Sequence, residues 1–412
     1  MSELKKTLTL YGGTALFLNI VIGAGLLVLP GLAYQQVGDV ALMSWFVCTL
    51  FALPLLLVFV VLGKHYPDSG GIAHYAFRAF GGWMQKVSAF LFLGAVVFGL
   101  PSIAMTGGYY LNATFPFSTH FYAVALIVIA ALLHGVSGSG ASRVLGWIGS
   151  GVIAVLLILL VISIIGLEIN QNAPILPKWN FDGISLTVLL TPFMMIFFAF
   201  TGWEVGSHAA EEFKNSVRDF PLAMIFSFII ASIFYLTIAW VVQKSAIQTG
   251  FESPFIEVTR PILGNNGKYA VAFVAALLIL ANLFGGVWGV SRLVYSLGRD
   301  KILPEVLAVT QNGTPLRAVF VVVLCLLVSV FLDSAGVIHI KDMLSLAGQN
   351  FLILYGVAAA ALLMLTRQLK MKLLAIFVLL LVLTLLFIAG VHTLYPVCLV
   401  LLASITHWMK KV

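Results

Sequence analysis

Apolar runs of roughly 20 residues or more recur from one end of this chain to the other. As a helix, such a run crosses about 30 Å of hydrocarbon. No water is available at that depth. Every backbone N–H and C=O must then be paired inside the protein, so only helices and closed barrels can span. A barrel would show ten-residue segments of alternating polarity, and none are seen. Composition supports this: 61% of the residues are hydrophobic and only 9% are charged, against about 25% charged in a soluble domain. Too little polar surface exists to cover a water-soluble globule. The expected fold is an all-α polytopic membrane protein.

Spans are predicted at 8–37, 41–62, 84–111, 119–137, 144–167, 184–209, 220–242, 268–297, 316–332, 342–365, 371–389 and 392–408, twelve in all. With the N-terminus placed in the cytoplasm, only Lys178, Lys244, Arg260, Lys268 and Lys341 fall outside. The other seventeen of the 22 Lys and Arg fall inside. The positive-inside rule therefore puts both termini in the cytoplasm. The net charge of +7 is read as a topology signal, with no nucleic-acid partner. Lys5 and Lys6 precede a run too long for a signal peptide that leads into further spans, so the first helix is expected to be uncleaved.

The loops between spans are short, and none holds a soluble domain or a GxxxxGK[ST] phosphate loop, which excludes an ATP-driven pump within this chain. The Gly-rich 135–143 stretch follows no strand and is read as a helix-ending turn. Cys48, Cys325 and Cys398 lie inside apolar runs without ligand spacing, so no metal and no cofactor are expected. No Ser-His-Asp arrangement or carboxylate pair suggests an enzyme. The chain is expected to form a single membrane transport domain over 1–412.

Two spans carry helix-weakening clusters at mid-membrane: "VIGAGL" (21–26) in the first and "AFTGWE" (199–204) in the sixth. Five crossings separate them, so they run in opposite directions. Two five-helix halves, about 8–167 and 184–365, would then be inverted copies, with peripheral helices over about 371–408. Glycine-interrupted segments at matching positions of two halves point to a transporter binding site. An unwound helix survives in lipid only where protein or a cavity surrounds it. It also leaves half-helix N-termini whose N–H groups attract an anion such as a carboxylate.

Of the 15 acidic residues, Glu204 alone lies well inside a span, where an ionised carboxylate costs about 2.5–3.5 kcal/mol on insertion scales. It is read either as a proton carrier or as a hydrogen-bonding strut for the unwound segment. Phe197, Phe198, Phe200 and Trp203 beside it form either a lid or pocket, or a core stripe. His134 and His208 have no partner at metal-ligand spacing and are read as structural. Arg292, near the cytoplasmic end of the eighth span, either snorkels to the interface or pairs with Glu211 or Glu212 as an inner gate. Asn282, Gln349 and Asn350 are mid-membrane polar groups available to line a pathway.

These residues resemble the amino acid–polyamine–organocation (APC) superfamily along the whole chain. "IGAGLLVLP" (22–30) is similar to its first-helix break, and "LGKHYPDSGGIAHYAFRAFG" (62–81) to its second loop. "FFAFTGWEVGSHAAEEFKNSVRDFP" (197–221) resembles its sixth-helix signature, and "SRLVYSLGRDKILP" (291–304) the end of its eighth helix. Ser216 replaces the usual proline, and the fifth span lacks the lysine that some proton-coupled relatives carry. That departure leaves Glu204 as the ionisable switch. The length and loop wording are most like those of bacterial exporters of methionine and branched-chain amino acids.

The resemblance implies ten core helices in two inverted repeats plus two peripheral ones, in a bacterial inner membrane, moving substrate by alternating access. It implies that a substrate carboxylate meets the N–H groups of Gly23, Ala24 and Gly25. The ammonium would meet carbonyls near Val21, Ile22 and Phe200, with Thr201, Gly202 and Trp203 completing the site and Phe198 as the gate. The pocket is expected to be apolar, taking Leu, Ile, Val, Met or Phe, with protons as coupling partner. Competing readings are an uptake permease or exchanger of the same fold, and a non-transporting amino acid sensor or channel.

Overall fold

The computed structural model describes residues 8–67, 71–137, 154, 157–167, 186–299, 301–311, 314–389 and 394–409. These residues form helices joined by turns and short loops, with isolated bridges pairing Leu8 with Phe213 and Gln311 with Thr314. Half of the expected fifth span (all of 144–167 but 154 and 157–167), most of the stretch 135–143, and 68–70 of the second loop lie outside the described residues. Seven helical stretches among the described residues are long and apolar enough to cross a membrane.

The first predicted span is two helices, α1 (Leu10–Val21) and α2 (Ala24–Val37). Thr9 caps α1 by accepting the Gly12 N–H at 3.3 Å. Pro30 does not end α2, which runs on through it. Then come α3 (Ala41–His65), the short amphipathic α4 (Gly71–Phe80), α5 (Gly82–Asn112), α6 (Thr119–Ser137) and α7 (Leu157–Leu167). The sixth predicted span is a chain of short pieces: α8 (Leu186–Leu190), α9 (Phe193–Ala199), α10 (Trp203–Gly206) and a 3₁₀ stretch (Ser207–Glu212). The remainder is α11 (Asp219–Ser245), α12 (Pro254–Leu263), α13 (Gly267–Arg299), α14 (Leu316–Ser334), α15 (Ile340–Leu365), α16 (Leu369–Ala389) and α17 (Leu394–Met409).

α5 is the central post, touching α6, α13, α14, α15 and α17. The broken helices sit inside the cage that surrounds it: α2 lies on α9, α1 and α3 pack on α11, and α15 closes over α9. Hydroxyls buried at this depth must find an acceptor. Those of Ser102, Thr106, Ser163, Ser227 and Thr259 donate to the carbonyl one turn earlier at 2.6–2.9 Å. α16 is peripheral; Phe377, Leu383 and Phe387 on it are exposed, Phe387 by 87%, as a lipid-facing surface requires.

Side-chain ties fix the rims. The Gln243 amide on α11 accepts the Leu42 N–H at 2.8 Å and donates to the Asp39 carbonyl at 2.6 Å, holding the α2–α3 corner. His120 at the start of α6 meets Asp333 at the end of α14 at 2.7 Å. At the opposite rim Tyr66 donates to the Leu365 carbonyl at 2.9 Å.

Candidate substrate site at two facing helix breaks

The interruptions predicted from glycine are real breaks, and the fold brings them face to face. In the first, the Ile22 N–H still donates to the Leu18 carbonyl at 2.7 Å, closing α1. α2 restarts at Ala24, with the Leu26 N–H donating to the Gly23 carbonyl at 3.1 Å. No hydrogen bond among the described residues takes the N–H of Gly23, Ala24 or Gly25. These are the orphan donors of a half-helix N-terminus, converging with the positive end of its dipole.

In the second break, the Phe200 N–H donates to the Phe197 carbonyl at 2.8 Å, and the Thr201 hydroxyl to the Phe198 carbonyl at 2.7 Å. Gly202 then takes φ +114°, a left-handed conformation that costs a side chain dearly and glycine little. Its N–H donates to both carboxylate oxygens of Glu204, at 2.9 and 3.0 Å. Oε2 of that carboxylate also accepts the Tyr355 hydroxyl at 2.9 Å. Glu204 is 1% exposed and thus acts geometrically as a strut, tying the turn before α10 to α15.

Close approach explains the small residues. A Cβ on Gly25 would stand 2.9 Å from the Ala199 Cβ and 3.0 Å from its Cα. One on Gly202 would stand 3.0 Å from the Ile20 Cγ2 and 3.2 Å from the Val21 Cγ2. The α13 residue Asn282 presses its amide against Gly23, where no Cβ would fit.

One hydroxyl joins the two breaks. Tyr235, from α11, lies 2.9 Å from both the Val21 and the Ala199 carbonyls and donates its proton between them. Those carbonyls are the C-terminal ends of α1 and α9, each lacking a helical partner. Tyr355 similarly lies 3.4 Å from the Phe200 carbonyl. Of the three carbonyls expected near the ammonium, Val21 and Phe200 thus already face tyrosine hydroxyls, while Ile22 accepts from no described residue.

The walls are aromatic and apolar. Phe200 packs against Tyr235 (centroids 5.2 Å apart), Trp45 (6.2 Å) and Phe228 (6.1 Å), and Trp203 against Phe228 (6.1 Å). The indole N–H groups of Trp45 and Trp203 are buried without a hydrogen-bond partner. Phe198 stands on the other side of α9, against Gly99 of α5 and Phe351 of α15. Ile22, Ala24, Phe200 and Trp203 are each at most 2% exposed, so the junction is closed to solvent. A groove of about 430 Å³ lined by Leu42, Phe46, Leu236, Thr237 and Trp240 lies between α3 and α11, away from it.

Arg292 stacks its guanidinium 3.7 Å above the Trp288 ring and donates to the Trp288 carbonyl at 3.3 Å. The side chains of Glu211 and Glu212, its expected partners, lie outside the described residues, as does that of His208. His134 sets Nδ1 2.7 Å from the Ala130 carbonyl and its ring 4.3 Å from that of Phe284, a packing role. Gln349 and Asn350 are buried with no hydrogen-bond partner for either amide. Sequence reasoning missed Tyr235, Tyr355 and Trp45. The available signal was tyrosine at mid-span: a phenol in hydrocarbon needs an acceptor, and tyrosine otherwise gathers at the membrane interfaces.

Comparison with known proteins agrees with this architecture. Residues 8–404 match the family model described as amino acid permease. The chain is similar to the L-methionine/branched-chain amino acid exporter YjeH of Escherichia coli (strain K12), at 28% identity over 86% of this chain and 85% of that protein. It is also similar to the human cystine/glutamate transporter, at 27% identity over 87% of this chain and 74% of that one. A third relative is the branched-chain amino acid permease BcaP of Bacillus subtilis (strain 168), at 25% identity over 73% of this chain and 69% of that protein. A match over nearly the whole length settles the family: this chain belongs to the amino acid permeases of the APC superfamily, which are membrane transporters of amino acids.

Proposed function

We propose that this protein is a secondary transporter that exports neutral, apolar L-amino acids (leucine, isoleucine, valine and methionine) across a bacterial inner membrane by alternating access. The observation that carries the reading is the facing of two breaks around three N–H groups without an acceptor, enclosed by aromatic walls. A carboxylate satisfies those donors. An ammonium fits the orphan carbonyls of Val21, Ile22 and Phe200, taking over from the tyrosine hydroxyls that hold two of them. Among the described residues no charged side chain other than Glu204 stands at the junction, and both its oxygens are engaged, which favours an apolar cargo side chain.

In this proposal the chain crosses the membrane twelve times with both termini in the cytoplasm, as two inverted five-helix repeats plus α16 and α17. Glu204 couples the cycle to protons: protonation would weaken its hold on the Gly202 N–H and loosen the turn before α10. The competing reading is an uptake permease of the same fold, favoured by the likeness to a branched-chain amino acid permease. Radiolabelled leucine and methionine flux in proteoliposomes, with a pH gradient of either sign, tests both. Export predicts gradient-dependent efflux that Glu204→Gln uncouples. Absence of flux for any amino acid would refute the transporter reading.

A further inference from the structure

One face of α13 runs from the first break toward the basic rim where Arg299 and Lys301 lie. Asn282, Gly285, Gly289, Arg292 and Ser296 recur at helical spacing (three or four apart), hence on one side of the helix. All five are partly accessible, whereas Leu283, Val287, Val290, Val294 and Leu297 are buried. At about 100° per residue, the face is centred about 120° around the helix from Phe273 and Leu277, which stand exposed. At its upper end Asn282 touches Gly23 in the break. At its middle, nothing among the described residues lies within 4 Å of where a Gly289 Cβ would be. At its lower end, about 15 Å along the axis from Asn282, stands Arg292.

Arg292 is an unusual cation. None of the ion pairs among the described residues includes it. Its stacking on Trp288 and its one bond to the Trp288 carbonyl leave other guanidinium N–H groups without an acceptor among the described residues. Cation–π contact compensates only part of the lost hydration of a half-buried guanidinium. The remaining fork of donors matches a carboxylate, which it can take in bidentate fashion.

We propose that Arg292 is a carboxylate-docking residue on the cytoplasmic approach to the breaks. It captures the α-carboxylate of an incoming amino acid, which then passes along the open face at Gly289 to the N–H groups of Gly23, Ala24 and Gly25. This rests on the transporter reading above, and it makes Arg292 matter for one side of the membrane only.

The test uses the full-length protein in vesicles sorted by orientation, with radiolabelled L-leucine offered from either face and leucinol, which lacks the carboxylate, as competitor. For Arg292→Gln, the half-saturating leucine concentration rises about tenfold, the loss of one modest charge-assisted contact, from the cytoplasmic face alone. The preference for leucine over leucinol falls on that face too, and Arg292→Lys restores part of both. Normal kinetics from the outer face serve as the folding control. If Arg292→Gln does not fold, Gly289→Leu, which fills the open face, must raise the cytoplasmic half-saturation instead. Equal changes on both faces, or none, would overturn the proposal while wild-type flux upholds the transporter reading. So would an effect that appears only with phosphatidylglycerol in the vesicle, which would assign the guanidinium to a lipid phosphate. Absence of flux in the wild type would overturn both.

Discussion

Tyr235→Phe removes one oxygen and leaves the ring in place against Phe200 and Trp45. What is lost is the proton shared between the Val21 and Ala199 carbonyls, each 2.9 Å away. A buried acceptor left unpaired costs about 1–3 kcal/mol in water-soluble proteins. Side-chain hydrogen bonds in membranes average nearer 0.6 kcal/mol, up to about 1.7. One donor serves two carbonyls here, so about 1–2 kcal/mol is the expected loss. It falls on the arrangement in which both breaks are joined, because among the described residues no other side chain hydrogen-bonds both carbonyls. At about 1.4 kcal/mol per factor of ten, the joined state becomes about 5–30 times scarcer. If the transport cycle passes through that state, maximal leucine flux in proteoliposomes falls by a similar factor. Thermal unfolding in detergent shifts by only a few degrees, since the packing is intact. Flux within twofold of wild type would refute the claim that the hydroxyl couples the two breaks.

Other variants probe the same junction. Gly25→Ala puts a methyl 2.9 Å from the Ala199 Cβ, an overpacking of about 1–3 kcal/mol; thermal stability and leucine binding both fall, whereas Gly135→Ala, whose methyl meets nothing within 4 Å among the described residues, lowers neither. Gly202→Ala must hold φ +114° against about 1–3 kcal/mol of strain and meets Ile20 as well, so it should express poorly and bind no leucine. Glu204→Gln keeps one acceptor oxygen, whose two lone pairs can still take the Gly202 N–H and the Tyr355 hydroxyl, so binding persists while flux no longer follows the pH gradient. Glu204→Leu strands both donors at about 1–3 kcal/mol each and should lower thermal stability as well as binding.

The long apolar runs made the helices legible, because hydrocarbon forces each run to pair its own backbone. α5, α11, α13 and α15 begin and end within a few residues of their expected bounds. The breaks were legible too, since Gly23, Gly25 and Gly202 are poor choices for an uninterrupted span. Helices off the membrane-spanning pattern were not: α4 and α12 are ten residues each, too short for an apolar run to announce them. Nor did the sequence reveal what holds the breaks together. Tyr235 stands 214 positions from Val21, and Tyr355 stands 151 from Glu204. Such contacts depend on how α11 and α15 pack around the broken helices, which no local spacing encodes. Phe198 illustrates the reverse: its position beside the break was plain, but two residues along a helix turn a side chain to the other face, and it packs toward α5 and α15 instead.

The account rests on the facing breaks being a binding site for an amino acid backbone. Equilibrium binding of radiolabelled L-leucine to the purified protein tests this most directly, with L-methionine, D-leucine and leucinol as competitors. The account predicts saturable binding that L-methionine displaces, D-leucine displaces poorly and leucinol scarcely at all, and that Gly25→Leu abolishes. Displacement by leucinol as effective as by L-methionine, or undiminished binding in Gly25→Leu, would contradict it.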